Sequence, residues 1–344
     1  MSAAAPPVQH PRAKDGFRGR TCSITAVGSY VPTRVLTNAD LEKMVDTTDE
    51  WITSRTGIKE RRIAARDEYT SDIAAQAATR ALHHAGLTAN QLDLIILATI
   101  TPDMLFPSTA CLVQRKIGAH RAAAFDIEAA CSGFIFGLEI GQQFIMSRTY
   151  NTILVIGAEK LSTIIDWSDR STCVLFGDGA GAAILQNRPN SHGLLTVCMG
   201  SDGNKADLLS MPGGGSRCPA TEKSVADRLH YLRMDGKETF KSAIGAMLTA
   251  AQEALRRCDI DIGRIKCVIP HQANQRIIDA VGERLGVRPD QVFVNVDRYG
   301  NTSAASVAIA LDEAVRSGRV QRGDLILLVV FGAGLTWGAA VIEW

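Results

Sequence analysis

The chain has 344 residues, 46% of them hydrophobic, which is enough for one large core or two fused modules. Its formal net charge of +1 gives no basic excess that would indicate a nucleic acid or an anionic membrane surface as partner. No apolar run approaches the roughly 18 residues that a membrane-spanning helix needs, so we expect no membrane insertion.

The N-terminal segment and the cysteines indicate where the protein resides. Residues 1–20 contain Ala, Pro and several basic residues but no apolar stretch, which predicts a disordered tail rather than a secretory signal. The eight cysteines form no Cys-x-x-Cys pair and no zinc spacing, so we expect no metal site. Cysteines without such spacing are typical of a reducing compartment, and we therefore expect a cytoplasmic protein.

The first half of the chain, residues 21–190, alternates between helix and strand patterns. A helix over 72–85 begins after Ser71 and ends at Gly86. The elements that follow are a strand over 92–99, a helix over 108–117, a strand over 122–127, a helix over 131–148 and a strand over 152–157. This alternation predicts an α/β fold with a mostly parallel sheet covered by helices.

The second half, residues 191–344, runs the same course. Its predicted elements are a helix over 238–257, a strand over 266–270, a helix over 275–285, a strand over 291–296, a helix over 303–316 and a strand over 324–330. A glycine-rich sequence also recurs, since Phe176-Gly-Asp-Gly179 has its counterpart in Phe331-Gly-Ala-Gly334. We interpret the two halves, 21–190 and 191–344, as products of a duplication.

Duplication brings three chemically useful residues to related positions. Cys131 follows one strand and begins a helix, where unpaired N–H groups and the helix dipole favour a thiolate. His271 and Asn301 follow strands of the other half. Taken singly, they are typical of a core cysteine, a satisfied histidine and a turn asparagine. If the halves pack about a pseudo-two-fold axis, all three converge on one site.

A thiol, an imidazole and a carboxamide together suit a covalent acyl intermediate. Backbone N–H groups of Cys131 and of the loop 331–334, in particular Ala333, are candidates for holding the oxyanion. One reading is a thioester or amide hydrolase in which His271 activates water or the thiol. The other is a carbon–carbon bond-forming acyltransferase in which neutral His271 and Asn301 stabilise an enolate. The second accounts better for Asn301, because a carboxamide cannot serve as a general base.

These residues lie in a set of motifs that runs in order from about Ser23 to Trp344. The set includes the segments 38–52 and 54–58, Ala129-Ala-Cys-Ser-Gly-Phe134, Phe176-Gly-Asp-Gly-Ala-Gly-Ala-Ala183, Pro270-His-Gln-Ala-Asn274, Gly300-Asn-Thr-Ser-Ala-Ala-Ser306 and Phe331-Gly-Ala-Gly-Leu-Thr-Trp-Gly338. Together they closely resemble the bacterial β-ketoacyl-acyl-carrier-protein synthase III family.

The resemblance implies the thiolase fold, in which two pseudo-duplicated halves form a five-layer αβαβα arrangement, usually as a homodimer. It implies that a short acyl group moves from coenzyme A to Cys131. Malonyl-acyl-carrier-protein then loses CO2, and the resulting carbanion attacks the acyl-cysteine to start type II fatty-acid synthesis. No permanently bound cofactor is implied, since the coenzyme A thioester is a substrate.

The resemblance also carries over individual residues. Those matching the catalytic positions are Cys131, His271 and Asn301. Those matching coenzyme A-binding positions are Trp51, Arg55, Arg170, Gly236, Asn274 and Phe331. Those matching the acyl pocket are Leu161, Val174, Phe176, Met234 and Phe106, the last reaching the pocket of the partner subunit, where its bulk favours a short primer such as acetyl. Lys241 and Arg276 match basic positions that meet the acidic carrier protein.

Two departures and several rivals qualify this interpretation. Lys237 stands where the family often has Asn on the pantetheine path, and Ser132 replaces the commoner Ala after the nucleophile. A thiolase would need a second cysteine in the loop 331–338, and an elongating synthase would have a second histidine in place of Asn301. A condensing enzyme of secondary metabolism with another acceptor shares the triad and stays open, as do a cysteine-dependent hydrolase and a non-catalytic scaffold.

Overall fold

The computed structural model describes residues 21–188 and 193–344. The predicted tail, 1–20, and the predicted boundary between residues 190 and 191 lie outside the described residues, so both stay predictions. Among the residues described, no helix is long and apolar enough to cross a membrane, and no cluster of three or more His, Cys, Asp or Glu side chains could hold a metal ion.

The first half is built on a five-stranded sheet. Its strands are β1 (Cys22–Tyr30), β4 (Leu94–Ala98), β5 (Ala123–Ile127), β6 (Thr152–Glu159) and β7 (Gly179–Asn187), and a separate hairpin pairs β2 (Arg34–Thr37) with β3 (Glu60–Ile63). The order across the sheet is β1-β7-β6-β4-β5, which leaves β5 at an edge. β4 runs parallel to β5 and β6, and β7 is antiparallel to β1 and β6. The helices of this half are α1 (Asn38–Leu41), α2 (Asp49–Thr56), α3 (Thr70–Ala85), α4 (Thr109–Ile117) and α5 (Gly133–Met146).

The second half is built on a four-stranded sheet. Its strands are β8 (Leu194–Ser201), β11 (Cys267–Pro270), β12 (Leu325–Gly332) and β13 (Thr336–Glu343), in the order β11-β12-β13-β8, while β9 (Leu209–Ser210) and β10 (Arg233–Met234) form a short pair of their own. β11 and β12 are parallel, and the other pairs are antiparallel. The helices are α6 (Glu222–Ala226), α7 (Gly236–Cys258), α8 (Gln275–Leu285), α9 (Val296–Tyr299) and α10 (Ser306–Arg316).

These elements stack in five layers. α3 and α4 cover the outer face of the first sheet, and α7 and α8 cover the outer face of the second. α5 and α10 lie between the two sheets, and their apolar side chains join those of both sheets in one buried cluster. A helix packed against sheets on both sides must be apolar on most faces, which explains the composition of α5. The predicted α/β fold in two similar halves is confirmed.

Close packing of the central helix depends on three glycines spaced four residues apart. Gly133, Gly137 and Gly141 share one face of α5, because residues at this spacing lie above one another on a helix. A Cβ at each would come within 2.7 Å of Ala98, 2.7 Å of Val155 and 2.6 Å of Leu185, respectively. The helix therefore lies directly on the first sheet, and this contact fixes the position of the residues just before it.

The two halves also share an unusual backbone feature. A short 3-10 turn precedes α5 and another precedes α10, and the first residue of each turn has positive φ: 44° at Ala130 and 48° at Ser303. Non-glycine residues seldom adopt this conformation. Its recurrence at matching places supports the duplication interpretation and positions Cys131 and Ser303 on facing turns, which contact each other.

One predicted element is wrong. Residues 291–296 were expected to form a strand, but only Val292 makes an isolated parallel bridge, to Val268. Side chains take the hydrogen bonds that a neighbouring strand would have made: the Gln272 Oε1 accepts from the N–H groups of Asn295 and Val296, and the Arg319 guanidinium donates to the Val292 carbonyl. The chain then continues through α9 to Asn301.

Candidate active site

The three candidate catalytic residues line one narrow cavity at the junction of the two halves. Cys131, His271 and Asn301 are buried, with 4–7% of each residue exposed. The cavity has a volume of about 100 Å³, and its wall also contains Phe331 and Gly332. The convergence that duplication predicted is therefore present in the structure.

Cys131 sits in the 3-10 turn just ahead of α5 rather than in the helix itself. The loop after β12 approaches it closely, since a Cβ on Gly332 would lie 2.7 Å from the Cys131 backbone nitrogen. The Thr336 hydroxyl ties the two loops together, at 3.1 Å from the Ala129 carbonyl oxygen and 3.0 Å from the Ala333 carbonyl oxygen. Ala333 follows Gly332 directly, so its backbone belongs to the segment that faces the thiol.

Burial dominates the ionisation of the thiol. It raises the pKa of Cys131 to about 12, the negative charge of Glu159 acts in the same direction, and the nearby Ser303 hydroxyl opposes them. This is opposite in direction to the thiolate expected at a helix N-terminus. The free-energy cost of removing water from a charged sulfur in this cavity exceeds the stabilisation that the helix N-terminus provides. The resting group is therefore a thiol.

His271 follows β11, and its backbone N–H donates to the Val329 carbonyl at 2.8 Å. Its Nδ1 lies 3.0 Å from the Ser306 Oγ, which already accepts a hydrogen bond from the Gln272 backbone N–H at 2.7 Å. Of the hydrogen-bond partners of this hydroxyl in the described part of the chain, only Nδ1 can accept its hydrogen, so we assign the ring hydrogen to Nε2. Burial lowers the pKa of His271 to about 4, so the ring is neutral at physiological pH.

Asn301 is held by its backbone and by one end of its side chain. Its N–H donates to the Leu175 carbonyl at 2.8 Å, and its Oδ1 accepts from the Ser303 N–H at 2.8 Å. Gly300 makes this approach possible, because a Cβ there would lie 2.7 Å from the Leu175 oxygen and its φ is +63°. With Oδ1 engaged, the Nδ2 amino group is the end that can donate to a ligand in the cavity.

The residues expected to bind coenzyme A fall into two groups. Gly236, Asn274 and Phe331 line the cavity. Trp51, Arg55 and Arg170 lie outside its lining, with the guanidinium carbons of the two arginines 4.9 Å and 5.1 Å from the Trp51 ring centroid. Asn274 connects the groups, since its Nδ2 donates to the Arg55 carbonyl at 3.1 Å.

The residues expected to form the acyl pocket are divided in the same way. Phe176 and Met234 line the cavity, while Leu161 and Val174 lie behind them in the same buried apolar cluster. Phe106 is not part of this group: it is 83% exposed, on the loop before α4. The lining of the cavity in its own chain does not include Phe106.

The basic residues expected to meet a carrier protein lie on helices that form the cavity wall. Lys241 is exposed on α7, where it pairs with Glu238 at 2.8 Å. Arg276 is exposed in the first turn of α8, with its guanidinium 5.5 Å from the ring of Phe240, a lining residue. Lys237, the departure from the family pattern, is exposed in the first turn of α7.

Sequence reasoning missed the residues that hold the triad. Ser303 and Ser306 lie within the motif 300–306, but no pattern indicates a role for them, and no pattern indicates the contact of Gly332 with Cys131. Glu159 was also missed, although an acidic residue at the end of an otherwise apolar strand was a signal that could have found it. Its carboxyl is buried close to the thiol and accepts a hydrogen bond from Ser303.

Comparisons with known proteins agree with this geometry. The family described as 3-oxoacyl-[acyl-carrier-protein (ACP)] synthase III matches residues 125–203, and its C-terminal counterpart matches residues 255–344. A β-ketoacyl-[acyl-carrier-protein] synthase III of Caldanaerobacter subterraneus subsp. tengcongensis is 57% identical over 321 residues, covering 93% of this chain and 97% of the relative.

Solved structures give the same result. The 3-oxoacyl-[acyl-carrier-protein] synthase III of Aquifex aeolicus is 50% identical with a TM-score of 0.88, covering 94% of this chain and all of that one. The priming β-ketosynthase of the R1128 polyketide biosynthetic pathway is 37% identical with a TM-score of 0.88, covering 98% of each chain. The relatives match along nearly their whole length and at high identity. The chain therefore belongs to the β-ketoacyl-[acyl-carrier-protein] synthase III family.

Proposed function

We propose that the protein catalyses the decarboxylating condensation of a short acyl-coenzyme A, acetyl-CoA in the first instance, with malonyl-acyl-carrier-protein. The observation that carries this proposal is the convergence of Cys131, His271 and Asn301 on one narrow cavity. The product is a 3-oxoacyl-carrier-protein, and the reaction begins type II fatty-acid synthesis in the cytoplasm. Membership of the family favours this function over a hydrolase or a non-catalytic scaffold.

In the first half-reaction Cys131 receives the acyl group. Its sulfur attacks the thioester carbonyl, and the oxygen that becomes negative is held by the backbone N–H groups of Cys131 and Ala333. The close approach of the loop after β12 to Cys131 supports this assignment. Coenzyme A leaves with the proton that the thiol has lost.

In the second half-reaction His271 and Asn301 act as hydrogen-bond donors. The malonyl thioester places its carbonyl oxygen between the His271 Nε2–H and the Asn301 Nδ2 group. As the carbon–carboxylate bond breaks, the electron pair moves toward that oxygen and CO2 leaves. The carbanion attacks the acyl carbon, the bond to the Cys131 sulfur breaks with its electron pair on the sulfur, and the resulting thiolate takes up a proton from solvent. A neutral His271 with its hydrogen on Nε2 is the form that this step requires.

Binding of coenzyme A is assigned to the path from the surface to the cavity. Trp51 and Arg170 would hold the adenine between them, Arg55 the phosphates, and Gly236, Asn274 and Phe331 the pantetheine arm. An adenine ring stacked between two flat groups needs about 7 Å between them, because each stacking contact takes roughly 3.5 Å. Arg170 now lies 5.1 Å from the Trp51 ring, so it must withdraw by about 2 Å when the nucleotide enters.

Partner contacts are proposed on three surfaces. Lys241 and Arg276 would meet the acidic carrier protein beside the cavity. A second copy of the chain would pair along the edge strand β5, where Phe125 and Ile127 are only partly buried, and would receive the exposed Phe106 in its acyl pocket with Leu161, Val174, Phe176 and Met234. A monomeric sedimentation coefficient would contradict the dimer.

The test of the function is mass spectrometry of the intact protein, followed by product analysis. Acetyl-CoA should add one acetyl group to the wild type and none to Cys131→Ser. Malonyl-acyl-carrier-protein should then remove the label and yield a four-carbon 3-oxoacyl product with release of CO2. Free acetate without CO2 would indicate a hydrolase instead, and condensation only with another malonyl acceptor would indicate an enzyme of secondary metabolism.

A single substitution should also abolish one half-reaction and leave the other intact. His271→Ala is expected to take up the acetyl label but to lose decarboxylation, because the imidazole acts only on the malonyl thioester. Complete loss of acetylation in this variant would contradict the division of roles.

A further inference from the structure

A buried carboxyl lies at the junction of the two halves, and the reaction described above gives it no role. Glu159 ends β6, and none of its surface is exposed. Its Oε2 accepts hydrogen bonds from the hydroxyls of Thr101 at 2.6 Å and Thr99 at 3.1 Å, and the Ile100 N–H donates to the same oxygen at 3.1 Å. These three donors follow β4, so they fix the carboxyl within the first half.

The other oxygen of this carboxyl holds a turn of the second half. The Ser303 hydroxyl donates to Glu159 Oε1 at 3.1 Å, and only 1% of Ser303 is exposed. Ser303 begins the 3-10 turn before α10 with a φ of 48°, which non-glycine residues seldom adopt. The turn also lies directly on β6, because a Cβ on Gly157 would collide with the Ala304 carbonyl oxygen. The hydrogen bond to Glu159 therefore helps to hold an otherwise unfavourable backbone conformation.

The backbone of the same turn orients the Asn301 side chain. The Ser303 N–H donates to Asn301 Oδ1 at 2.8 Å. A carboxamide has one accepting end and one donating end, and the proposed reaction needs the Nδ2 end to face the malonyl carbonyl oxygen. If the amide rotated by half a turn, Oδ1 would face that oxygen and the two would repel each other. The Ser303 N–H favours the productive orientation.

We infer that Glu159 and Ser303 are positioning residues for Asn301: the carboxyl holds the turn, and the turn directs the Asn301 Nδ2 group into the cavity. This inference rests on the function proposed above, since Asn301 acts there on the malonyl thioester. It uses the carboxyl as a hydrogen-bond acceptor and involves no proton transfer. It concerns the second half-reaction, because Asn301 takes no part in the acylation of Cys131.

The alternative is that Glu159 acts on Cys131 through its charge. A negative charge on Glu159 raises the pKa of Cys131, which would change the rate of acetylation. A positioning role for Asn301 would instead change the rate of malonyl decarboxylation. Separate measurement of the two half-reactions therefore distinguishes these roles.

The first test replaces the hydroxyl and keeps the N–H. Ser303→Ala should lower the rate of decarboxylation at saturating malonyl-acyl-carrier-protein about 5- to 30-fold and change the KM less than about 3-fold, because the donor is misplaced rather than removed. Acetylation of Cys131 should change by less than about 3-fold. Ser317→Ala is the matched control: this exposed serine donates to the Ala314 carbonyl at the end of α10, and both rates should stay at the wild-type value.

A double-mutant cycle distinguishes positioning from general support of the fold. If Ser303 acts through Asn301, then Ser303→Ala in an Asn301→Ala background should lower the residual decarboxylation by less than about 2-fold. A general weakening of the fold would lower the rate by the same factor in both backgrounds. Equal factors in the two backgrounds would therefore overturn the inference.

Replacements of Glu159 test whether the acceptor or the charge matters. In Glu159→Gln the carbonyl oxygen can still accept from Ser303 and from the Ile100 N–H, which lies 3.3 Å from Oε1, and the amide can donate to the threonine hydroxyls. Its decarboxylation should stay within about 3-fold of the wild type, and its acetylation should not slow. Glu159→Leu has no acceptor, so its decarboxylation should fall about 5- to 30-fold, as in Ser303→Ala. An equal loss in both Glu159 variants would show that the charge is what matters. If Glu159→Leu does not fold, the cycle with Asn301 decides.

A last measurement keeps this inference separate from the proposed function. A wild type that does not decarboxylate malonyl-acyl-carrier-protein would contradict the proposed function, but the hold of Glu159 on the turn could still be measured by hydrogen–deuterium exchange. The segment 301–305 should exchange faster in Ser303→Ala and Glu159→Leu than in the wild type, and at the wild-type rate in Ser317→Ala. Unchanged exchange of this segment in Ser303→Ala would overturn the inference.

Discussion

Replacing Gly332 with alanine should damage the site from a position that carries no chemistry of its own. A Cβ there would lie 2.7 Å from the Cys131 backbone nitrogen and 3.1 Å from the Cys131 Cβ. Ordinary contacts are at least about 3.4 Å, so the two loops must separate by about 0.7 Å. Neither neighbouring atom belongs to a flexible side chain that could rotate away. We expect a loss of about 1–3 kcal/mol in the free energy of unfolding.

The same displacement should slow acylation. A misplacement of 1 Å can cost about 100-fold in rate, so a shift of this size should reduce the rate of Cys131 acetylation by roughly 10- to 100-fold. The measurement is acetylation from acetyl-CoA followed by mass spectrometry, together with thermal unfolding of the same preparations.

Gly245→Ala provides the matched control. Gly245 lies in the interior of α7, is exposed, and has nothing within 4 Å of a built Cβ. Alanine in a helix interior is favoured over glycine by about 1 kcal/mol, so this variant should unfold at a slightly higher temperature. The two glycine replacements should therefore move stability in opposite directions. Acetylation of Gly332→Ala at the wild-type rate would refute the packing argument.

Three further outcomes are expected. Ser306→Ala should reduce the rate of malonyl decarboxylation about 2- to 10-fold and the rate of acetylation much less, because the His271 Nδ1 is then free to take the ring hydrogen. The two rates are measured by CO2 release and by label uptake, and an equal loss in both would contradict this. Since burial lowers the pKa of His271 to about 4, decarboxylation should show no histidine titration between pH 5.5 and 8; a step in that range that disappears in His271→Ala would refute the neutral imidazole. Trp51→Ala should raise the KM for acetyl-CoA about 5- to 100-fold through lost stacking, yet leave the KM for an acetyl thioester of N-acetylcysteamine, which has no adenine, nearly the same.

Periodicity recovered most of the central architecture of this chain. The predicted helix over 275–285 is found as Gln275–Leu285, and the predicted strand over 266–270 as Cys267–Pro270. The segment 291–296 failed because its apolar alternation satisfies a strand pattern, while the groups that take its hydrogen bonds, on Gln272 and Arg319, are distant in sequence. A hydrophobic pattern cannot indicate that side chains far away in sequence will take the hydrogen bonds that a neighbouring strand would have made.

The candidate site was predictable in its reactive atoms but not in their support. Cys131, His271 and Asn301 stood out because each follows a predicted strand within a motif, although the strand predicted before Asn301 is absent. Ser306 and Gly332 did not, since their roles are a hydrogen bond to Nδ1 and the absence of a Cβ. Both depend on which loops meet, and that is set by the packing of the two halves rather than by any local sequence pattern.

The thiol shows why the local pattern misleads when a site is buried. At a helix N-terminus the dipole is worth about 0.3–1 kcal/mol at exposed positions, up to about 2 in partly buried ones. Burial can shift a pKa by 3–5 units in the other direction, and each unit corresponds to about 1.4 kcal/mol. The effect of burial is the larger one, so the resting Cys131 keeps its proton. An enzyme with a neutral thiol and a neutral imidazole cannot rely on a preformed ion pair, so the thiol must lose its proton while the acyl group is being transferred.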